Sequence, residues 1–260
     1  MKAAVFGLIV LLMLTVSCDN NPSTPTGTLQ VVSNLHIDEG ASAGQTVVLE
    51  WDELGNVDGY YIFFTENLTG SWPQIGTSVS NSFSHTSAPY SGYYTVLAFK
   101  GSNTSSDFSN HTASGPVVID SVFTIWDQYA VGEPTGFIFG VESGSTGDAS
   151  SESFEQDVYA FDGGWSQSPV GLFAGSAGFY PGGVYCPVVR GIDTGHAPPS
   201  GYVDSLWVQT GSFIYSYLSD NHYVKIFVDS VIPHPTIPES HGIRFHYHYQ
   251  PIASLRLFAR

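Results

Sequence analysis

The chain has 260 residues, 42% of them hydrophobic and 14% aromatic, with 23 carboxylates against 7 lysines and arginines and a formal net charge of −16 at pH 7. No basic patch exists to displace phosphate counterions, which excludes a nucleic-acid partner, and adsorption to anionic lipid by charge alone is excluded on the same ground. Aromatic residues and glycine are abundant while helical periodicity is nearly absent after residue 18, so the chain reads as all-β.

The first element is a secretory signal. Lys2 supplies a short positive region, and Ala3 to Leu14 an apolar run too short to span a bilayer. The following Thr15-Val16-Ser17-Cys18 resembles the bacterial lipobox, although Thr15 stands where leucine is usual and Leu14 falls one place early. That resemblance implies a diacylglyceryl group on Cys18, cleavage after residue 17, and a protein held to a membrane by its acyl chains. The outer membrane or cell surface is the expected address, with Asp19 after the cysteine leaving the inner membrane open as the other. The plainer alternative is an ordinary signal peptide cut near Ser17. "DNNPSTPTGT" then offers too little apolar surface to repay ordering, as a tether over 18–27 would. With Cys18 lipidated, Cys186 has no partner for a disulfide. Its setting in "GGVYCPVV" is that of a small buried hydrophobe, not a catalytic thiol.

From residue 28 the pattern has a period of two. Val47, Leu49 and Trp51 share one face of "TVVLEWDE", and Tyr60, Ile62 and Phe64 one face of "GYYIFFT". "ENLTGSWPQIGTS" reads as a polar connection, "NSFSHTS" as a short strand and "SGYYTVLAFKGSNTSSDFS" as a strand pair. Leu49-x-Trp51, "DGYYIFF" and Tyr94-x-Val96-x-Ala98 followed by a Ser-rich turn resemble a fibronectin type III domain over 28–117. The resemblance implies a two-sheet sandwich with Trp51 packed between the sheets against Ile62 and Val96, and Tyr94 as a tyrosine corner whose hydroxyl bonds back to the chain. It brings no catalytic role and implies a spacer or contact module.

A break at Ser114 to Pro116 precedes a second domain over 118–260. About nine further short strands, from "VVIDSVFTIWD" to "SLRLF", are spaced by Gly, Pro, Ser and Asp clusters and predict a second antiparallel sandwich or barrel. The loop "VESGSTGDASSESFEQ" holds Glu142, Asp148, Glu152 and Glu155, but at no calcium-loop spacing, and reads as a solvated loop. "DNHYVKIFVDSV" and "GIRFHYHYQP" resemble the closing strands of bacterial surface β-lipoproteins that include the HmuY-like haem-binding proteins. No haem ligand carries over residue by residue.

His246 and His248 lie about 7 Å apart on one strand face, with Arg244 beside them and Phe245, Tyr247 and Tyr249 opposite. The simpler reading makes them the wet face of a sheet. The sharper one makes them zinc or haem ligands, joined by His241, His222 and His234 if the loops fold over. No His-Glu-x-x-His, Gly-x-Ser-x-Gly or phosphate-binding glycine loop is present. The sequence therefore predicts a lipid-anchored, non-catalytic envelope protein without a cofactor, whose C-terminal domain contacts a protein or glycan. A haem or metal scavenger is the alternative, and a glycan-active enzyme comes third.

Overall fold

A computed structural model describes residues 29–127, 129–151, 153–161, 171–174, 188–192, 195–238 and 240–258. The signal over 1–17, the tether over 18–27 with Cys18, and also Glu152 and Cys186, lie outside the described residues. Among those described, every regular element is a β-strand, and the strands form two successive antiparallel sandwiches. The protein is all-β.

The first sandwich uses β1 (His36–Ile37), β2 (Val47–Glu50), β3 (Gly59–Thr65), β4 (Gln74–Ser78), β5 (Ser82–His85), β6 (Tyr93–Lys100), β7 (Asn103–Thr104) and β8 (Thr112–Ala113). One sheet has the order β1-β2-β5; the other has β4-β3-β6-β7, with β8 also on β6. This is the strand order of a fibronectin type III sandwich. The alternating faces of "VVLE" and "GYYIFFT" turn inward as their period demands, so Leu49, Trp51, Tyr60, Ile62, Tyr94 and Val96 lie in one buried cluster. Trp51 meets Tyr60 edge to face at 5.1 Å between ring centres.

Two local features depart from the expectation. Residues 74–78, read as connection, form edge strand β4 on β3. Their strand signal is weak because Gly76 sits where any Cβ would lie 2.5 Å from the Phe83 ring, and Gln74 and Thr77 face water. The Tyr94 hydroxyl, expected to bond back to the chain as a tyrosine corner does, meets a side chain of the opposite sheet, 2.9 Å from His85 Nδ1. The last strand of this sandwich is interrupted between β7 and β8, and serine hydroxyls replace its missing ladder acceptors. Val96 N–H donates to Ser109 Oγ at 2.9 Å and Ala98 N–H to Ser105 Oγ at 3.2 Å.

The second sandwich comprises β9 (Val117–Trp126), β10 (Gly136–Ile138), β11 (Ser145–Gly147), β12 (Val158–Phe161), β13 (Gly171–Ala174), β14 (Val188–Arg190), β15 (Ser205–Trp207), β16 (Phe213–Tyr217), β17 (Tyr223–Pro233) and β18 (His241–Gln250). Sheet β11-β10-β12-β13-β15 faces sheet β14-β16-β17-β18-β9. Phe137, Val158, Ile214, Ile226, Phe245 and Tyr247 fill the space between them.

Residues 254–258, "SLRLF", read as a closing strand of this second unit, do otherwise, as does the segment from 251 that leads into them. Among the described residues their ladder contacts are isolated bridges, Gly44 with Leu255 and His196 with Leu257. Ile252, Leu255 and Leu257 are buried in the core of the first sandwich, while Phe258 packs on Tyr215 of the second. Burying each such aliphatic side chain contributes about 1.5–3 kcal/mol. The first core is thus completed by residues that follow the second sandwich in the chain.

Candidate functional site

Strands β16, β17 and β18 bury one set of side chains in the core, so the alternate set shares the outer face. Their register places Tyr215, Lys225, His248 and Val118 in one row and Phe213, Phe227 and His246 in the next. The Phe227 ring lies parallel to His246, 3° between planes and 4.8 Å between centres, and 4.6 Å from the His248 ring. The Lys225 ammonium sits 4.5 Å from the centre of Phe213 and 5.0 Å from that of Phe227, with only 3% of the residue exposed. Toward the strand ends near Tyr215 and Tyr223, the face is roofed by Ala197, Tyr202 and Phe258. Around Phe213, Phe227, His246 and His248 it is half-buried.

His246 has bulges on both neighbouring strands. In β17 the register slips at Asp229, and in β9 it slips between the partners of Phe245 and Tyr247. The extra residue in β17 turns the Asp229 carboxylate to His246 Nδ1, Oδ1 at 2.9 Å. That contact fixes the orientation of the ring and turns its Nε2 away from the carboxylate. His248 is held differently. Burial, then the Lys225 charge and His246, push it down to about 4, against a smaller opposing effect of Asp120. At neutral pH His248 is uncharged, and its Nδ1 is buried without a hydrogen-bond partner among the described residues.

The five histidines singled out in the sequence do not converge. His246 and His248 are neighbours, with ring centres 6.3 Å apart. His241 lies at the far end of β18, roughly 17 Å from His246 by strand rise, where its N–H donates to Asp127 Oδ2 at 2.5 Å. His222 occupies the β16–β17 turn, its Nε2 3.2 Å from Pro251 O. His234 packs edge to face on Trp126. Among the described residues, no three His, Cys, Asp or Glu side chains are grouped to hold a metal ion.

Arg244 is exposed, and Phe245, Tyr247 and Tyr249 face the core, as alternation requires. The histidine side, however, is no bare wet surface, because Phe213, Lys225 and Phe227 occupy it. The odd positions of "FIYSY" and "YVKIF" carry that information, but only once the register sets them beside "HYH". In the acidic loop, Asp148 Oδ1 accepts from Ser150 N–H and its hydroxyl, which closes a local turn.

No family model and no curated protein matches the chain. Among solved structures, one similar chain is a Fn3-like protein from Clostridium thermocellum, 17% identical, covering 34% of this chain and 92% of that one with a TM-score of 0.28. Another contains titin kinase and its flanking domains, 9% identical, covering 84% of this chain and 37% of that one with a TM-score of 0.32. The class of protein rests on the strand order itself: two β-sandwiches in tandem, the first with fibronectin type III topology.

Proposed function

We propose that this protein is a lipid-anchored component of the cell envelope, displayed at the outer membrane or cell surface, that acts as a non-catalytic binding or adhesion module. Acylated Cys18 and the tether over 18–27 hold it to the membrane. The fibronectin-like sandwich over 28–117 is the spacer, and the sandwich over 118–260 makes contact with a glycan or protein.

One observation carries the assignment of the contact: the half-buried rings of Phe213, Phe227, His246 and His248 lie together on one sheet face beside the buried Lys225. Flat rings offer stacking area at little entropic cost, and His246 Nε2, oriented through Asp229, supplies a directional polar group beside them.

Affinity electrophoresis through gels containing a panel of envelope and host polysaccharides, together with adhesion of cells displaying the protein, tests this reading. Phe227→Ala is expected to abolish retardation or adhesion while the far-ultraviolet circular dichroism is unchanged. Equal binding by the variant would refute the assignment to this face. A Soret shift with haemin, lost on changing His246 and His248 to Ser, would replace it with haem binding.

A further inference from the structure

We propose that residues 251–258 are a strap that locks the two sandwiches into one rigid, cooperatively unfolding body. The bonding alternates along the segment. Ser254 N–H donates to Asn221 O of the second sandwich at 2.7 Å, and its C=O accepts from Gly44 N–H of the first at 2.8 Å. Arg256 N–H donates to Gly44 O at 2.8 Å, and its C=O accepts from Ala197 N–H of the second at 2.7 Å. Phe258 N–H donates to Gly195 O of the second at 2.8 Å, and its C=O accepts from Ser91 N–H of the first at 3.3 Å.

From Ser254 to Phe258 every second residue is therefore bonded to both bodies, as a central strand is bonded to two neighbours. Arg256 adds a side-chain bond, Nη1 to Ala197 O at 2.8 Å. The residues between, Leu255 and Leu257, enter the first core with no exposed surface, while Phe258 meets Tyr215 edge to face at 5.2 Å.

Gln250 sets the direction of the strap. It is fully buried; its Nε2 donates to Leu257 O at 2.6 Å and to Ser114 O at 3.2 Å, and its Oε1 accepts from Ile252 N–H at 3.2 Å. One amide thus ties the end of β18 to the strap and to the junction between the sandwiches. Parting the two bodies would expose three aliphatic side chains and a row of buried backbone groups together. Bodies joined only by the short link after Ser114 would instead move and unfold separately.

Hydrogen exchange of the full chain, followed by mass spectrometry at rising urea, tests the strap. In the wild type, peptides covering β2, β3 and β6 and peptides covering β17 and β18 are expected to lose protection at the same urea concentration. Leu255→Ser is expected to part the two transitions and to raise exchange at Gly44 and Ala197 by about tenfold or more. Arg256→Ala leaves both cores intact, and is expected to raise exchange around Ala197 roughly three- to tenfold while β3 and β17 keep their protection. Separate transitions in the wild type would overturn the proposal. So would unchanged exchange at 195–197 in Arg256→Ala, which decides the matter alone if Leu255→Ser does not fold.

Discussion

Tyr94 and His85 meet across the first sandwich, the phenol oxygen 2.9 Å from the imidazole Nδ1, and so tie β6 in one sheet to β5 in the other. Burial raises the tyrosine's pKa strongly and lowers that of the histidine, so both are neutral partners at physiological pH. Tyr94→Phe keeps the ring and removes the partner of the half-buried His85 Nδ1. A loss of about 0.5–1.5 kcal/mol is expected from urea unfolding. An unchanged midpoint would mean that the bond contributes nothing.

Trp51 lies between the sheets with Ile62 and Val96 in the same cluster. Its truncation to Ala is a large-to-small change in a packed core, for which about 3–5 kcal/mol of destabilisation is expected. Chemical denaturation of the full chain measures it, since Leu255 and Leu257 belong to the same cluster and must be present.

Ser109 has a subtler role at the gap between β7 and β8. Its hydroxyl accepts from Val96 N–H and donates to Asn110 O at 2.7 Å. Ser109→Ala strands the buried Val96 N–H, and a cost of about 1–3 kcal/mol is expected. Faster amide exchange at Val96 is the local readout.

The alternation in "TVVLEWDE" and "DGYYIFF" made the first sandwich legible, because a period of two on half-buried strands has one satisfactory solution. Strand β4 was not legible, since an edge strand with Gly76 at its centre lacks apolar alternation. The outer face of β16–β18 was read only in part: His246 and His248 were visible as a pair, while Phe213, Lys225 and Phe227 join them through inter-strand register, a non-local property. The strap shows the same limit. "SLRLF" alternates as a strand does, but nothing local in it says that Leu255 and Leu257 cross back to the first core.

His248 makes stability depend on pH. Its pKa in the folded protein, about 4, lies below the ordinary imidazole value of 6.5, so between these values the unfolded chain takes up a proton that the folded chain refuses. The contribution is complete above pH 6.5, and falls away as the pH drops toward 4. His248→Gln is expected to narrow the difference in urea midpoint between about pH 4.5 and 7.5 relative to wild type. An identical pH dependence in both proteins would contradict this placement of His248.

The envelope assignment turns on residue 18, and mass spectrometry of the N-terminal peptide from fractionated cells tests it most directly. The account predicts a peptide that begins at Cys18, carries a diacylglyceryl group and sediments with membranes, and a Cys18→Ala variant that does not. An unmodified N-terminus recovered from the soluble fraction would contradict it.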